Sequence, residues 1–271
     1  MPELPEIETI RRGLEPLLTG RTLTGAVARV ASLRRPLAGD LGTVLIGAVV
    51  GAVERRGKYL LLRCSTGTLI LHLGMSGHLH LVERGTAPGR HDHLDLLVDA
   101  HAVLRLTDPR RFGTVLWTGE DPFNHPLLTG LGPEPFAAAL TGAYFEEQAR
   151  GRRLAIKSFL MDQETVAGIG NIYASESLFV AGIDPRRPVE TVTRQEYDRL
   201  CQGIRSVLAE AIALGATTLN DFGRTGGKPG YFDLRSRVYG RAGEPCTVCG
   251  AEILTLRQGG RATFFCPFCQ S

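Results

Sequence analysis

Pro2 is followed at once by Glu3, so removal of Met1 would set a secondary amine beside a carboxylate. Proline is small enough next to the initiator for that removal to be expected. A secondary amine that attacks a sugar aldehyde carbon gives an iminium, a cationic electron sink. The sink acidifies the neighbouring carbon and eases elimination of a phosphate. An α-amino group titrates at roughly 8, so little tuning would be needed. Behind it, Ile7, Ile10, Leu14 and Leu17 repeat at three- and four-residue steps, which predicts a helix from about Pro5. Proline suits a first helical position, and the positive helix end would help keep the amine unprotonated and Glu3 ionised. Taken alone, a second-position proline is more often a processing signal than a nucleophile.

A second chemical pattern lies at the other end. Cys246-x2-Cys249 and Cys266-x2-Cys269 are separated by sixteen residues. Four thiolates so spaced suit one tetrahedral, structural zinc ion, and they leave no open position for a catalytic one. Disulfides are the competing use, but in an oxidising compartment. Residues 251–265 predict two strands around Gln258-Gly259-Gly260, which puts Arg261 at or beside a hairpin tip. There it is either a solvated turn residue or a phosphate contact. Cys64 and Cys201 belong to no motif and are expected as buried core thiols. His91-Asp92-His93 could share a strand edge, but no third metal ligand is evident and a hydrogen-bonding role is expected.

Elements must position these groups. The chain has 271 residues, 43% hydrophobic and 22% charged, enough for two domains with real cores. No apolar stretch approaches a membrane span, and the acidic start lacks a secretory h-region. A cytoplasmic, nucleoid-associated protein is expected. The net charge of +3 is too weak to argue nucleic-acid binding, but residues 224–271 carry a net +4. A basic C-terminal module on a near-neutral body reads as an electrostatic footprint or as a solvated surface. Cations are almost all arginine; the lysines are Lys58, Lys157 and Lys228.

Residues 27–118 read as β, with strands predicted at 27–33, 43–53, 58–64, 68–73, 78–83, 94–98, 103–107 and 114–118, and a hairpin turn at 99–102. Many short strands suggest a sandwich or barrel. The Gly- and Pro-rich stretch 130–142 predicts a domain connection. Helices are expected over Arg152–Met161 and Ile172–Ala181, with Gly168-Ile169-Gly170 between them. A Gly-rich turn into a helix leaves N–H groups for phosphate oxygens; Asn171, at that start, could cap the helix or bind phosphate, and spacing alone favours capping. A further helix carries the stripe Tyr197, Leu200, Cys201, Ile204, Val207, Leu208, Ala211 and Ile212. Thr193 and Glu196 should cap it and Gly215 should end it. Residues 215–240 are Gly-rich and read as a loop.

The start PELPEIETIRR closely resembles the N-terminus of formamidopyrimidine-DNA glycosylases, base-excision enzymes that use this proline as nucleophile. The runs RGKYLLL, HLGMSG, TDPRRFG, GIGNIYASE, GGKPGYF and VYGR extend the resemblance over essentially the whole chain. It implies an α+β multidomain fold: an N-terminal β-sandwich with flanking helices, a helical domain with a helix–two-turns–helix element, and a β-hairpin zinc finger. The implied division is a catalytic domain 1–130, a linker 131–145, a helical DNA-binding domain 146–240 with a lesion loop, and a zinc finger 241–271. It implies a bifunctional glycosylase and apurinic/apyrimidinic lyase, acting on 8-oxoguanine opposite cytosine and on formamidopyrimidines. Pro2, Glu3 and Lys58 would be catalytic; His72, Met75, Arg110, Phe112, Lys157, Asn171, Tyr239 and Arg261 would bind DNA; Cys246, Cys249, Cys266 and Cys269 would hold zinc. Met75 and Phe112 would fill the gap left by the flipped nucleotide, and Arg110 would face the orphaned cytosine. By residue type alone, Met75 and Phe112 suit a core and Arg110 a surface ion pair. The expected partner is double-stranded damaged DNA, bound by a monomer without membrane or organic cofactor. The sister endonuclease VIII family shares this chemistry, but Leu4 and the Met75, Arg110, Phe112 set favour the purine enzyme. A basic residue is frequent in the family where Asn220 stands, so a lesion contact there is in doubt.

Overall fold

The computed structural model describes residues 2–37, 40–218 and 236–271. It contains two compact units. One runs to Thr129 and takes in the end of a long helix from Ile212; the other holds Gly130–Ala211 and the C-terminal residues. Asn220, the GGKPGYF run and most of the 215–240 loop lie outside the described residues.

The first unit opens with α1 (Leu4–Leu18), which buries Leu4, Ile7, Ile10, Leu14 and Leu18. Leu17, expected on that stripe, is exposed, because the 3.6-residue period carries the buried face from Leu14 to Leu18. The strands are β1 (Thr22–Ala28), β2 (Ala48–Arg56), β3 (Tyr59–Cys64), β4 (Gly67–His72), β5 (His78–Glu83), β6 (Asp92–Val98), β7 (Ala102–Thr107) and β8 (Thr114–Thr118), with a short α2 (Leu41–Val44) before β2 and α3 (Pro126–Thr129) at the end. Their order is β5-β7-β6-β1-β2-β3-β4-β8. β1 and β2 meet through two residue pairs, Thr22↔Val49 and Leu23↔Ala48. The four-stranded halves on either side share one apolar core: Leu94, Leu96 and Leu104 from one, Leu60, Leu62 and Leu69 from the other, with Ile10 and Leu14 of α1. That is the expected sandwich, with inward faces closing on one core, although Leu61 of β3 and Ile70 of β4, which alternate with the core residues, are buried as well.

Two predicted strands are displaced. The 27–33 strand lies earlier, at Thr22–Ala28, where Gly25 interrupts the apolar pattern at a register shift against β6. The 43–53 run splits into α2 and β2 around Gly47, whose φ of +79° makes the break.

The second unit contains α4 (Gly142–Ala149), α5 (Ile156–Met161), α6 (Asn171–Ala181), α7 (Arg194–Thr218) as far as Ala211, β9 (Leu254–Gln258) and β10 (Arg261–Phe265). Phe145 of α4 lies 5.8 Å, ring to ring, from both Phe159 of α5 and Tyr197 of α7. Thr193 and Glu196 form the expected box: the Glu196 carboxylate accepts from the Thr193 N–H at 2.7 Å, and the Thr193 hydroxyl accepts from the Glu196 N–H at 3.3 Å. Gly215 does not end α7, which continues to Thr218; a glycine inside a long helix costs about 1 kcal/mol, too little to stop it. Residues 152–155 are not helical: Ala155 bridges to Pro188 instead. Cys201 is buried and its thiol is pushed up to about 11 by burial. Cys64 is only half-buried, though burial raises it to about 11 as well.

Candidate active site, metal centre and nucleic-acid interface

Pro2 is half-buried and immediately precedes the start of α1. Glu3 is the helix cap and is 2% exposed. The Glu6 carboxylate accepts from the Glu3 N–H at 2.8 Å, closing a capping box that fixes the chain on which Pro2 stands. Lys58 occupies the two-residue turn between β2 and β3 beside Gly57, whose φ is +55°, and is largely buried. His72 ends β4 opposite Tyr59, their rings 4.8 Å apart. The His72 Nδ1 accepts from the Gly74 N–H at 3.0 Å. Burial, then the charges of Lys58 and Arg34, hold the imidazole down to about 4. At neutral pH His72 is therefore an uncharged ring whose proton sits on Nε2, a donor without a full charge.

Two turns carry Met75 and the Arg110–Phe112 segment. Gly74 has a φ of +61°, and a Cβ there would lie 2.4 Å from the Phe112 carbonyl carbon. Only glycine lets these backbones touch. Asp108 locks the pair from beneath: its carboxylate accepts from the Ser76 hydroxyl at 2.7 Å and from the Gly113 N–H at 2.8 Å. The Ser76 oxygen in turn accepts from the Arg110 N–H at 3.2 Å. Met75 and Phe112 are 44% and 41% exposed, so neither fills the core. The Arg110 guanidinium lies over the Phe112 ring at 4.8 Å, a cation–π contact, not an ion pair. Nearby, His93 has Nε2 3.0 Å from the Asp108 carbonyl, the hydrogen-bonding use expected of it.

In the second unit the four cysteine sulfurs lie within 4.8 Å of one another. Cys246 and Cys269 are 3.9 Å apart, Cys249 and Cys266 3.4 Å. A tetrahedral zinc with Zn–S bonds of about 2.3 Å needs sulfur separations of about 3.8 Å. The donor set fits, and the four cysteines hold one structural zinc. Backbone N–H groups of Val248 and Cys269 reach the Cys246 and Cys266 sulfurs at 3.4 Å each. β9 and β10 pair around Gly259-Gly260, with exposed Arg261 opposite Gln258.

Lys157 is turned inward. It is 1% exposed, and its ammonium donates to the Ala262 carbonyl at 3.0 Å and to the Thr263 hydroxyl at 2.8 Å. A long side chain on α5 thus runs inward to brace β10. Asn171 differs too. Gly170 is the helix cap; Asn171 is the first helical residue, and its amide donates to the same Ala262 carbonyl at 3.0 Å. One amide hydrogen satisfies the hairpin and the other is left to point elsewhere. Lys157 and Arg261 also line a groove of about 310 Å³ with Ser158, Met161, Asp162, Gln258 and Gly259.

Glu176 carries no signal in the sequence. It lies on α6 with 0% exposure, and its carboxylate accepts from three consecutive N–H groups: Arg237 at 2.8 Å, Val238 at 3.0 Å and Tyr239 at 2.9 Å. This fixes Tyr239, whose ring meets Phe264 of β10 edge-on at 5.1 Å. An acid inside GNIYASE looks like any exposed helical glutamate; only the distant segment 237–239 of the same chain reveals it.

Residues 1–115 match the formamidopyrimidine-DNA glycosylase N-terminal domain, residues 131–223 its H2TH domain, and residues 243–271 the zinc finger found in FPG and IleRS. The formamidopyrimidine-DNA glycosylase of Geotalea uraniireducens is 53% identical over the full length of both chains. The structure of the MutM (Fpg) protein from Thermus thermophilus is similar with a TM-score of 0.84 at 39% identity, covering 99% of this chain and 98% of that one. Lactococcus lactis Fpg, in complex with DNA containing an abasic site, gives 0.88 at 34% identity, covering 99% of each. The chain belongs to the formamidopyrimidine-DNA glycosylase family and is a DNA glycosylase.

Proposed function

We propose that the chain is a bifunctional glycosylase and apurinic/apyrimidinic lyase that removes 8-oxoguanine opposite cytosine and formamidopyrimidines from duplex DNA. The observation that carries this reading is the placement of Pro2 just ahead of a helix start capped by the buried Glu3. With Met1 removed, the Pro2 nitrogen attacks C1′ of the flipped nucleotide. The glycosidic bond breaks and the base leaves with a proton. The C1′–O4′ bond then breaks as O4′ takes a proton, which opens the sugar ring and leaves the iminium; this draws electrons from the C2′–H bond, the proton passes to a base, and the 3′ phosphate leaves. A second elimination expels the 5′ phosphate, and water releases the sugar remnant. Glu3 manages the proton transfers on the sugar, and Lys58 assists from the β2–β3 turn. His72, Asn171, Tyr239 and Arg261 bind the backbone, while Lys157 acts by bracing the hairpin. Met75 and Phe112 fill the void and Arg110 reads the cytosine. The parts are a catalytic region 1–130, a linker 131–145, a helical DNA-binding region 146–240 and a finger 241–271, working as a monomer.

Borohydride reduction in the presence of lesion duplex tests the nucleophile. The adduct is expected on the N-terminal peptide, and Pro2→Gly or retention of Met1 should abolish or severely weaken excision while leaving DNA binding. An adduct mapped to Lys58 or Lys157 would sink the assignment.

A further inference from the structure

In the sandwich unit, most arginines away from the wedge are spoken for. Arg11, Arg12 and Arg55 pair with Glu8, Arg21 with Asp99, and Arg105 with Asp95. Arg34 and Arg35 are different. Both are exposed, and among the described residues neither guanidinium has an acid or a hydrogen-bond partner. Their loop is not adrift. The Arg34 N–H donates to the Gly113 carbonyl at 3.0 Å, and the Leu33 N–H donates to the Arg35 carbonyl at 3.0 Å. Leu33 is buried, and its side chain comes within 3.7 Å of the Cβ position at Gly113. The loop is therefore pinned to the residue that follows Phe112, with two adjacent cations left in solvent. Their fields reach the strand pair below. Arg34 adds to the charges that hold His72 down, and Arg34 and Arg35 both oppose the burial that raises the Tyr59 phenol. Neighbouring exposed cations repel one another weakly in water, and an anion that joins them turns that repulsion into attraction.

We propose that Arg34 and Arg35 form a phosphate-binding point for the DNA backbone flanking the Phe112 wedge. This rests on the duplex-repair reading and deepens it. A wedge that unstacks a base step needs the neighbouring phosphates held, or the strain of the kink is released by sliding. Two arginines backbone-tethered to the wedge turn supply that hold directly beside it.

The test is the salt dependence of binding to duplex containing a tetrahydrofuran abasic analogue, for wild type, Arg34→Ala, Arg35→Ala and the double variant. Removing one phosphate clamp lowers the slope of log K against log salt by about 0.9. The double variant is expected to bind more weakly, with a slope shallower by about 1 to 2, while zinc content and melting temperature stay at wild-type values. The ratio of excision from cytosine- and adenine-paired 8-oxoguanine should not move. Wild-type affinity and slope in the double variant would overturn the proposal, as would a narrowed opposite-base ratio, which would make these arginines base readers. Should wild type itself neither bind this duplex nor excise the lesion, the underlying reading fails instead, and the variants are not needed to show it.

Discussion

The wedge turns of the sandwich unit and the hairpin of the helical unit both present an exposed arginine, but they are held in place differently. Arg110 rides on a turn closed by Asp108 over a core of leucines and valines. Arg261 rides on two five-residue strands whose own buried cluster is small: Phe179, Val238, Cys246, Ile253 and Cys266. Burying a leucine yields about 1.5–3 kcal/mol, and the sandwich does so many times over. The finger cannot, so it relies on four thiolates around a metal and on the charged bonds from Lys157. An apolar support is indifferent to chelators; a support of ligands and ammonium bonds is not.

The largest way to break this comparison is to remove the metal. Cys249→Ser should lose zinc and much of the duplex affinity, because the free energy of metal binding is the folding free energy of such a module. The sandwich should keep its own unfolding transition. Zinc measured by atomic absorption, with melting and binding on the same sample, checks this. Stoichiometric zinc in the variant, or wild-type affinity without it, would show that the finger does not depend on the metal as argued.

A smaller effect is expected at Lys157. Lys157→Met removes the ammonium that reaches Ala262 and Thr263, and bonds to a charged group contribute about 1.5–3 kcal/mol. The variant should keep its zinc, melt lower in the second unit and bind duplex more weakly. Its salt slope should stay near that of wild type, since the ammonium touches protein and not phosphate. A slope shallower by about 0.9 would instead place the ammonium on a phosphate, as the resemblance alone implied.

The contrast between these residues also says what can be read from the chain. Local spacing is enough for the four cysteines, for the hairpin around Gly259-Gly260 and for the Thr193–Glu196 box, because each depends on neighbours a few residues away. The strands from Tyr59 onward follow their apolar pattern. What the pattern misses depends on distant partners. Nothing near Lys157 in the sequence says that its ammonium reaches Ala262. Asn171 looks like a cap because the competing acceptor lies 91 residues away. Glu176 is invisible for the same reason, and β1 is displaced because Gly25 breaks a pattern that pairing with β6 restores.

The finest distinction separates the two arginines themselves. Arg110 stands over the Phe112 ring, its guanidinium carbon 4.8 Å from the ring centroid. Cytosine without its partner offers O2 and N3 as acceptors; adenine in the same place offers a different edge. Arg110→Ala should therefore cost roughly 1–3 kcal/mol of discrimination, seen mainly as slower excision of 8-oxoguanine opposite cytosine, so that the preference over adenine narrows. Arg261→Ala should weaken both duplexes alike and flatten the salt slope by about one unit, as removal of a phosphate clamp does. Excision from cytosine- and adenine-paired duplexes at two salt concentrations compares the pair directly. If Arg110→Ala instead lowers both pairings equally and flattens the slope, it is a backbone clamp like Arg261, and the sandwich unit reads the opposite base by shape through Met75 and Phe112.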